Sequence, residues 1–133
     1  MTSPQLQYHT TTQGLRIVYY PIPSQVTYIG YMVQTGSAHD PQSYHGLAHC
    51  TEHMLFKGTN RRHALHLVNR VEAVGADLNA FTTKEDTTLH ISIPSRYALR
   101  AIHLLTDIVL NSYIPAEELS KEQEVIIEEI ASY

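Results

Sequence analysis

The sequence predicts an α+β fold in which an antiparallel sheet carries helices packed on one face. Three observations point there. Strand-like runs come in adjacent pairs with no helix between them, and helical runs come in pairs too. The 133 residues are 43% apolar and 17% charged, which is enough for one real core. The expected order is strand, strand, helix, helix, strand, strand, helix, helix, with no visible repeat and no low-complexity linker. Residues 1–133 therefore read as one domain or part of one.

Leu15 to Tyr20 reads as the first strand, ended by Pro21-Ile22-Pro23-Ser24, and Val26 to Gln34 as the second. Both faces of the second run are apolar, which suits a central strand. Thr35 to Pro41 is a loop by its Gly, Ser, Asp and Pro content. From Tyr44 to Phe56, Leu47, Ala48, Met54 and Leu55 favour a helix that closes at Lys57-Gly58, and a second helix is expected from about Arg61 to Val74, ending at Gly75. Asp77 to Thr82 and Thr87 to Ile93 read as paired strands, the latter alternating Leu89, Ile91 and Ile93 against Thr88, His90 and Ser92 before Pro94. Ala98, Ala101, Ile102, Leu105, Ile108 and Val109 recur at helical spacing. Pro115 followed by Glu117 and Glu118 starts a last helix, because proline suits the first turn and carboxylates favour the positive end of the helix dipole. Ala131-Ser132-Tyr133 carries no stop signal, so the expectation is a chain trimmed within a larger domain.

The net charge of −4 is concentrated near the C-terminus, where six glutamates face Lys121. Nucleic acid is thereby disfavoured as a partner. No run approaches the roughly 18 apolar residues of a membrane span, and the N-terminus has neither a basic start nor an apolar stretch, so the expectation is no membrane partner and a cytoplasmic location. A single cysteine, Cys50, excludes an internal disulfide and a cysteine-based zinc knuckle. Cys50 itself is expected to be a buried small hydrophobe. Nine histidines are the compositional oddity.

Two of them stand in His49-Cys50-Thr51-Glu52-His53, the H-x-x-E-H pattern of inverted zincins. On a helix, i and i+4 lie about 40° apart and i+3 about 60° to the other side, so His49, Glu52 and His53 share a face. Two imidazoles one turn apart can hold one zinc ion, with a carboxylate beside its water. A zinc ion needs a third protein ligand, and the pattern alone is also compatible with a solvated helix surface. His63 and His66 lie three apart but have no completing group, while His90 and His103 read as ordinary fold residues. Glu117, Glu118, Glu124 and Glu128 read as a solvated face.

The segment Gly46-Leu47-Ala48-His49-Cys50-Thr51-Glu52-His53-Met54-Leu55-Phe56-Lys57-Gly58-Thr59 resembles the signature of the pitrilysin family of zinc metallopeptidases, which includes insulin-degrading enzymes and mitochondrial processing peptidases. Two further segments match in order. The family's third ligand is a Glu some seventy-five residues past the second His, in a helix that carries another Glu two turns earlier. Here Glu129 lies 76 residues after His53, in Glu122-Gln123-Glu124-Val125-Ile126-Ile127-Glu128-Glu129-Ile130. Glu72 to Thr87 resembles the family's Gly-Gly-x-x-Asn-Ala-x-Thr-x-x-Glu-x-Thr strand pair, with Ala76 in place of the second Gly. Cys50 and Thr51 fill positions where the family often has larger apolar residues.

The resemblance implies a zinc-dependent endopeptidase acting on extended peptides, with residues 1–133 as the N-terminal portion of its first domain. It implies His49, His53 and Glu129 as zinc ligands, Glu52 as general base, Glu122 as a carboxylate that orients a ligand, and Asn79, Ala80 and Phe81 as peptide contacts on a strand that the substrate extends. It also implies a second peptidase-like domain or subunit that supplies an Arg and a Tyr. Alone, the 133 residues are expected to associate into homo-oligomers and to leave peptides uncut. The rival expectations are a non-catalytic scaffold subunit, since the family includes partners lacking the motif, and a structural or storage zinc protein.

Overall fold

The computed structural model describes residues 4–132. β1 (Gln7–Thr10) and β2 (Arg16–Tyr19) form an exposed antiparallel hairpin, and β1 is a strand that its polar sequence does not announce. β3 (Val26–Val33) leads through a loop to α1 (Leu47–Met54), which continues as a 3₁₀ turn, Leu55–Lys57. A two-residue ladder, β4 (Gly58–Thr59) with β5 (Arg62–His63), precedes α2 (Ala64–Glu72). Then come β6 (Asp77–Thr82), β7 (Thr87–Pro94), α3 (Ala98–Asn111) and α4 (Ala116–Ala131). No helix among the described residues is long and apolar enough to cross a membrane.

The main sheet is antiparallel in the order β3-β7-β6. This corrects the expectation for β3: it lies at the edge, with Tyr28 and Met32 exposed, and the central strand is β7. Period-2 alternation sends Leu89, Ile91 and Ile93 of β7 to one face, where they join Leu67 and Val71 of α2 and Ala101, Leu104, Leu105 and Ile108 of α3 in the core. Each such Leu or Ile contributes roughly 1.5 to 3 kcal/mol on burial. The helices thus cover one face of the sheet, as expected.

Two boundaries differ from the sequence expectation for identifiable reasons. α1 begins at Leu47 rather than Tyr44, because Gly46 stands before it at φ 88°, a left-handed conformation that glycine adopts without strain. The helix expected from Arg61 begins only at Ala64, because Arg61 and Arg62 are drawn into a turn around Thr59. Thr59 Oγ1 accepts their backbone N–H groups at 3.1 and 3.0 Å and donates to Asp107 Oδ2 at 2.9 Å. Asp107 is buried at 4% exposure and also receives Asn111 Nδ2 and the Arg62 guanidinium. Burial pushes its carboxyl up, but the hydrogen bonds from Thr59, Asn111 and Arg62 and the Arg62 charge outweigh it and hold the group below its usual range.

The loop between β3 and α1 lies directly on the turn between β6 and β7. Ser37 and Ala38 donate their N–H groups to the carbonyls of Thr83 and Lys84 at 3.0 and 2.9 Å. Gly36 allows this approach: a Cβ there would fall 2.4 Å from Thr83 O and 2.7 Å from the nitrogens of Glu85 and Asp86.

Candidate metal centre

α1 is short, so its position depends on its ends. Asp40, in the preceding loop, caps it with both carboxylate oxygens: Oδ2 accepts the N–H of Gly46 at 2.8 Å and Oδ1 that of Ala48 at 2.9 Å. These are donors a helix start cannot satisfy internally, and a carboxylate there also meets the positive end of the dipole. At the other end Met54 is buried at 1% exposure.

So fixed, α1 presents His49 and His53 one turn apart, their Nε2 atoms 3.1 Å apart and their rings nearly perpendicular at 83°. Glu129 of α4 brings Oε2 to 3.7 Å from His49 Nε2 and 3.5 Å from His53 Nε2. These three form the one cluster of three or more metal-capable groups among the described residues. A tetrahedral ion with bonds of about 2.0 to 2.1 Å spaces its ligand atoms about 3.3 Å apart, so the triangle fits one face of a zinc tetrahedron. The donor set, two imidazoles and a carboxylate, also fits zinc. All three side chains are partly exposed.

Glu122, two turns before Glu129 on α4, accepts from His53 Nδ1 at 3.2 Å through Oε1. A proton held on Nδ1 leaves the Nε2 lone pair aimed at the other two donors. Its Oε2 meets Lys57 Nζ. Burial pushes the Glu122 carboxyl up, but the hydrogen bonds and charges of Lys57 and His53 prevail and lower it.

Glu52 is half-buried, and its Oε2 accepts from Thr82 Oγ1 of β6 at 2.5 Å. Thr82 lies in the segment that matches the family's strand pair, where no motif marks it as a partner of Glu52, and Asp40 lies outside every motif in the sequence. Cys50 is partly exposed rather than buried; the buried positions of α1 are Ala48 and Met54. Burial, then the nearby Glu122 charge, pushes its thiol up and away from the ligand-competent thiolate. His63 and His66 pack edge to face at 5.9 Å, and among the described residues no third donor completes a metal-capable group with them.

Asn79, Ala80 and Phe81 do not join the cluster. They lie on β6, the edge strand beside α1, with Asn79 and Phe81 exposed and Ala80 half-buried. The Ala80 N–H is taken by the Asn79 carboxamide oxygen at 3.0 Å. A mainly apolar cavity of about 360 Å³, lined by Tyr31, Leu47, Thr51, Leu55 and Leu89 among others, touches the opposite face of α1 and none of the clustered donors.

Residues 16–133 match the family described as Insulinase (Peptidase family M16). The chain belongs to this family. It is 35% identical over 126 residues to the uncharacterized zinc protease YmxG of Bacillus subtilis (strain 168), covering 94% of this chain and 31% of that protein. It is 35% identical over 127 residues to the mitochondrial-processing peptidase subunit beta of Mus musculus, covering 96% and 26%. Over 127 residues it is 32% identical to the cytochrome b-c1 complex subunit 1 of Bos taurus, covering 96% and 26%. The chain thus spans about a quarter to a third of the length of these family members. Its fold matches a protease from Helicobacter pylori at TM-score 0.89 and 24% identity, covering 96% of this chain and 31% of that one. Pitrilysin matches at TM-score 0.88 and 23% identity, covering 97% and 14%.

Proposed function

We propose that the chain forms the zinc-binding part of an endopeptidase active site, with His49, His53 and Glu129 as the ligands. The observation that carries this reading is the triangle of Nε2, Nε2 and Oε2 atoms in a chain of a peptidase family whose members include proteins named zinc proteases. When bound, zinc supplies Lewis acidity toward a carbonyl oxygen and lowers the pKa of water.

The chain's own residues supply the rest. Glu52 takes the proton of the attacking water and passes it to the leaving amine, and Thr82 holds the carboxylate in place for that transfer. Glu122 keeps the His53 proton on Nδ1. An extended peptide pairs with the edge of β6 at Asn79, Ala80 and Phe81, replacing the Asn79 side chain on the Ala80 N–H. A second peptidase-like domain or subunit completes the cleft, in keeping with relatives that are named as subunits.

The test is zinc content together with cleavage of a quenched peptide, with the chain joined to such a partner. Glu52→Gln should keep the zinc and lose at least about 10²-fold in rate, the range of a positioned base. Activity retained within tenfold would remove Glu52 from this role, and zinc content unchanged in both His49→Ala and His53→Ala would remove the site.

A further inference from the structure

Lys57 closes the 3₁₀ turn that extends α1, four residues beyond His53, so its side chain runs along the same face. Its side chain is only 25% exposed, unusual for lysine unless it is paired. The partner is Glu122, itself 12% exposed, whose two oxygens are divided: Oε2 to Lys57 Nζ and Oε1 to His53 Nδ1. With both oxygens engaged from one helix face, the carboxylate is fixed in rotation as well as in position. The other carboxylate near Lys57, Glu118, feels the Lys57 charge but is hydrogen-bonded to Lys121, whereas Glu122 is the carboxylate ion-paired with Lys57. A fully exposed ion pair of this kind would contribute little and affect nothing beyond itself. Here the pair is mostly covered, and one of its members touches a histidine of the zinc triangle.

We propose that Lys57 is a positioning residue for the metal centre, locking the Glu122 carboxylate so that His53 is held as the tautomer with Nδ1 protonated and Nε2 free for a cation. This rests on the zinc reading above for its purpose, while the tautomer is a property of the metal-free chain. Removing the ammonium lets Glu122 rotate, and His53 then divides between its two neutral tautomers. Replacing lysine by arginine keeps a cation in reach of Oε2 and restores the lock.

The experiment uses the 133-residue chain as wild type, Lys57→Met and Lys57→Arg. Long-range proton–nitrogen spectra of the metal-free protein read the His53 tautomer, and competition with a chromogenic chelator reads zinc affinity. Lys57→Met should show mixed tautomers and bind zinc about three to ten times more weakly, below the 10- to 100-fold typical of removing a group that touches a ligand directly. Lys57→Arg should recover both signals. An unchanged tautomer with affinity within twofold of wild type in Lys57→Met overturns the proposal. If wild type binds no zinc, the zinc reading falls and the tautomer comparison still decides the role of Lys57. Should Lys57→Met fail to fold, Lys57→Gln, neutral and polar, takes its place with the same expected direction.

Discussion

The two helices that meet at the site are built in opposite ways. α1 has eight residues, yet it is held at its start by Asp40, at its end by buried Met54 and along its side by the Thr82–Glu52 bond. α4 has sixteen residues and a good dipole complement in Glu117 and Glu118, yet Ile126 is its one buried residue, with Val125, Ile127 and Ile130 exposed. Its attachment to α1 runs largely through polar groups: Glu122 to His53 and Lys57, and Glu129 to the two histidines. Helix length and propensity therefore do not measure how firmly a donor is placed. The histidine pair is preformed by its surroundings, whereas the glutamate reaches its position only as α4 docks.

The largest expected effect breaks the preformed side. His53→Ala removes a donor and the Glu122 anchor together and should weaken zinc binding by at least about 10³-fold, roughly a quarter to two-fifths of a typical structural zinc free energy. Glu129→Gln should cost less, about 10²-fold. Zinc should also slow amide hydrogen exchange more in α4 than in α1, because only α4 has docking freedom to lose. Equal protection of both helices would end the distinction between them. Next in size, Asp40→Ala should lower stability by about 1 kcal/mol through the lost cap, measured in urea, with a smaller change in zinc affinity than Glu129→Gln. An unchanged urea midpoint would show that α1 is held by other means.

The smallest effect concerns acid. The Glu122 carboxyl is lower in the folded chain than in the unfolded one, so its stabilisation is complete above the unfolded value, about 4.3, and is lost as pH falls through the folded value. Wild type should be more stable than Glu122→Gln at neutral pH, and the gap should narrow as pH falls below the unfolded carboxylate's range. A gap independent of pH would mean that the carboxylate's charge contributes nothing to the docking of α4.

What the sequence disclosed was what depends on short range. The β6 and β7 boundaries follow from alternation and Pro94, α3 from its apolar stripe, and the shared face of His49, Glu52 and His53 from helical offsets alone. The place of Glu129 does not follow in that way, since no local rule fixes how two helices 76 positions apart come together, and only the family resemblance singled it out. Asp40 escaped notice because helix-start rules look at the residue just before the helix, which is Gly46, while the actual cap reaches in from six positions earlier. β3 misled because apolar residues on both faces usually mark a central strand, whereas here Tyr28 and Met32 face outward from an edge. The delayed start of α2 depends on Asp107, 45 residues beyond Arg62 and invisible to any window around Arg61.

Gly36 shows how far a sensitivity map can diverge from a map of the chemistry. It carries no metal-ligating atom, no charge and no side chain, and it belongs to a loop rather than to either helix of the site. Yet an added methyl group would strike the backbone of the 83–86 turn and pry the loop from it. Four residues along that loop is the carboxylate that sets the start of α1. A scan of every position for loss of zinc should therefore mark residue 36 beside the histidines, and alanine, the substitution usually chosen as harmless, would act there as a wedge.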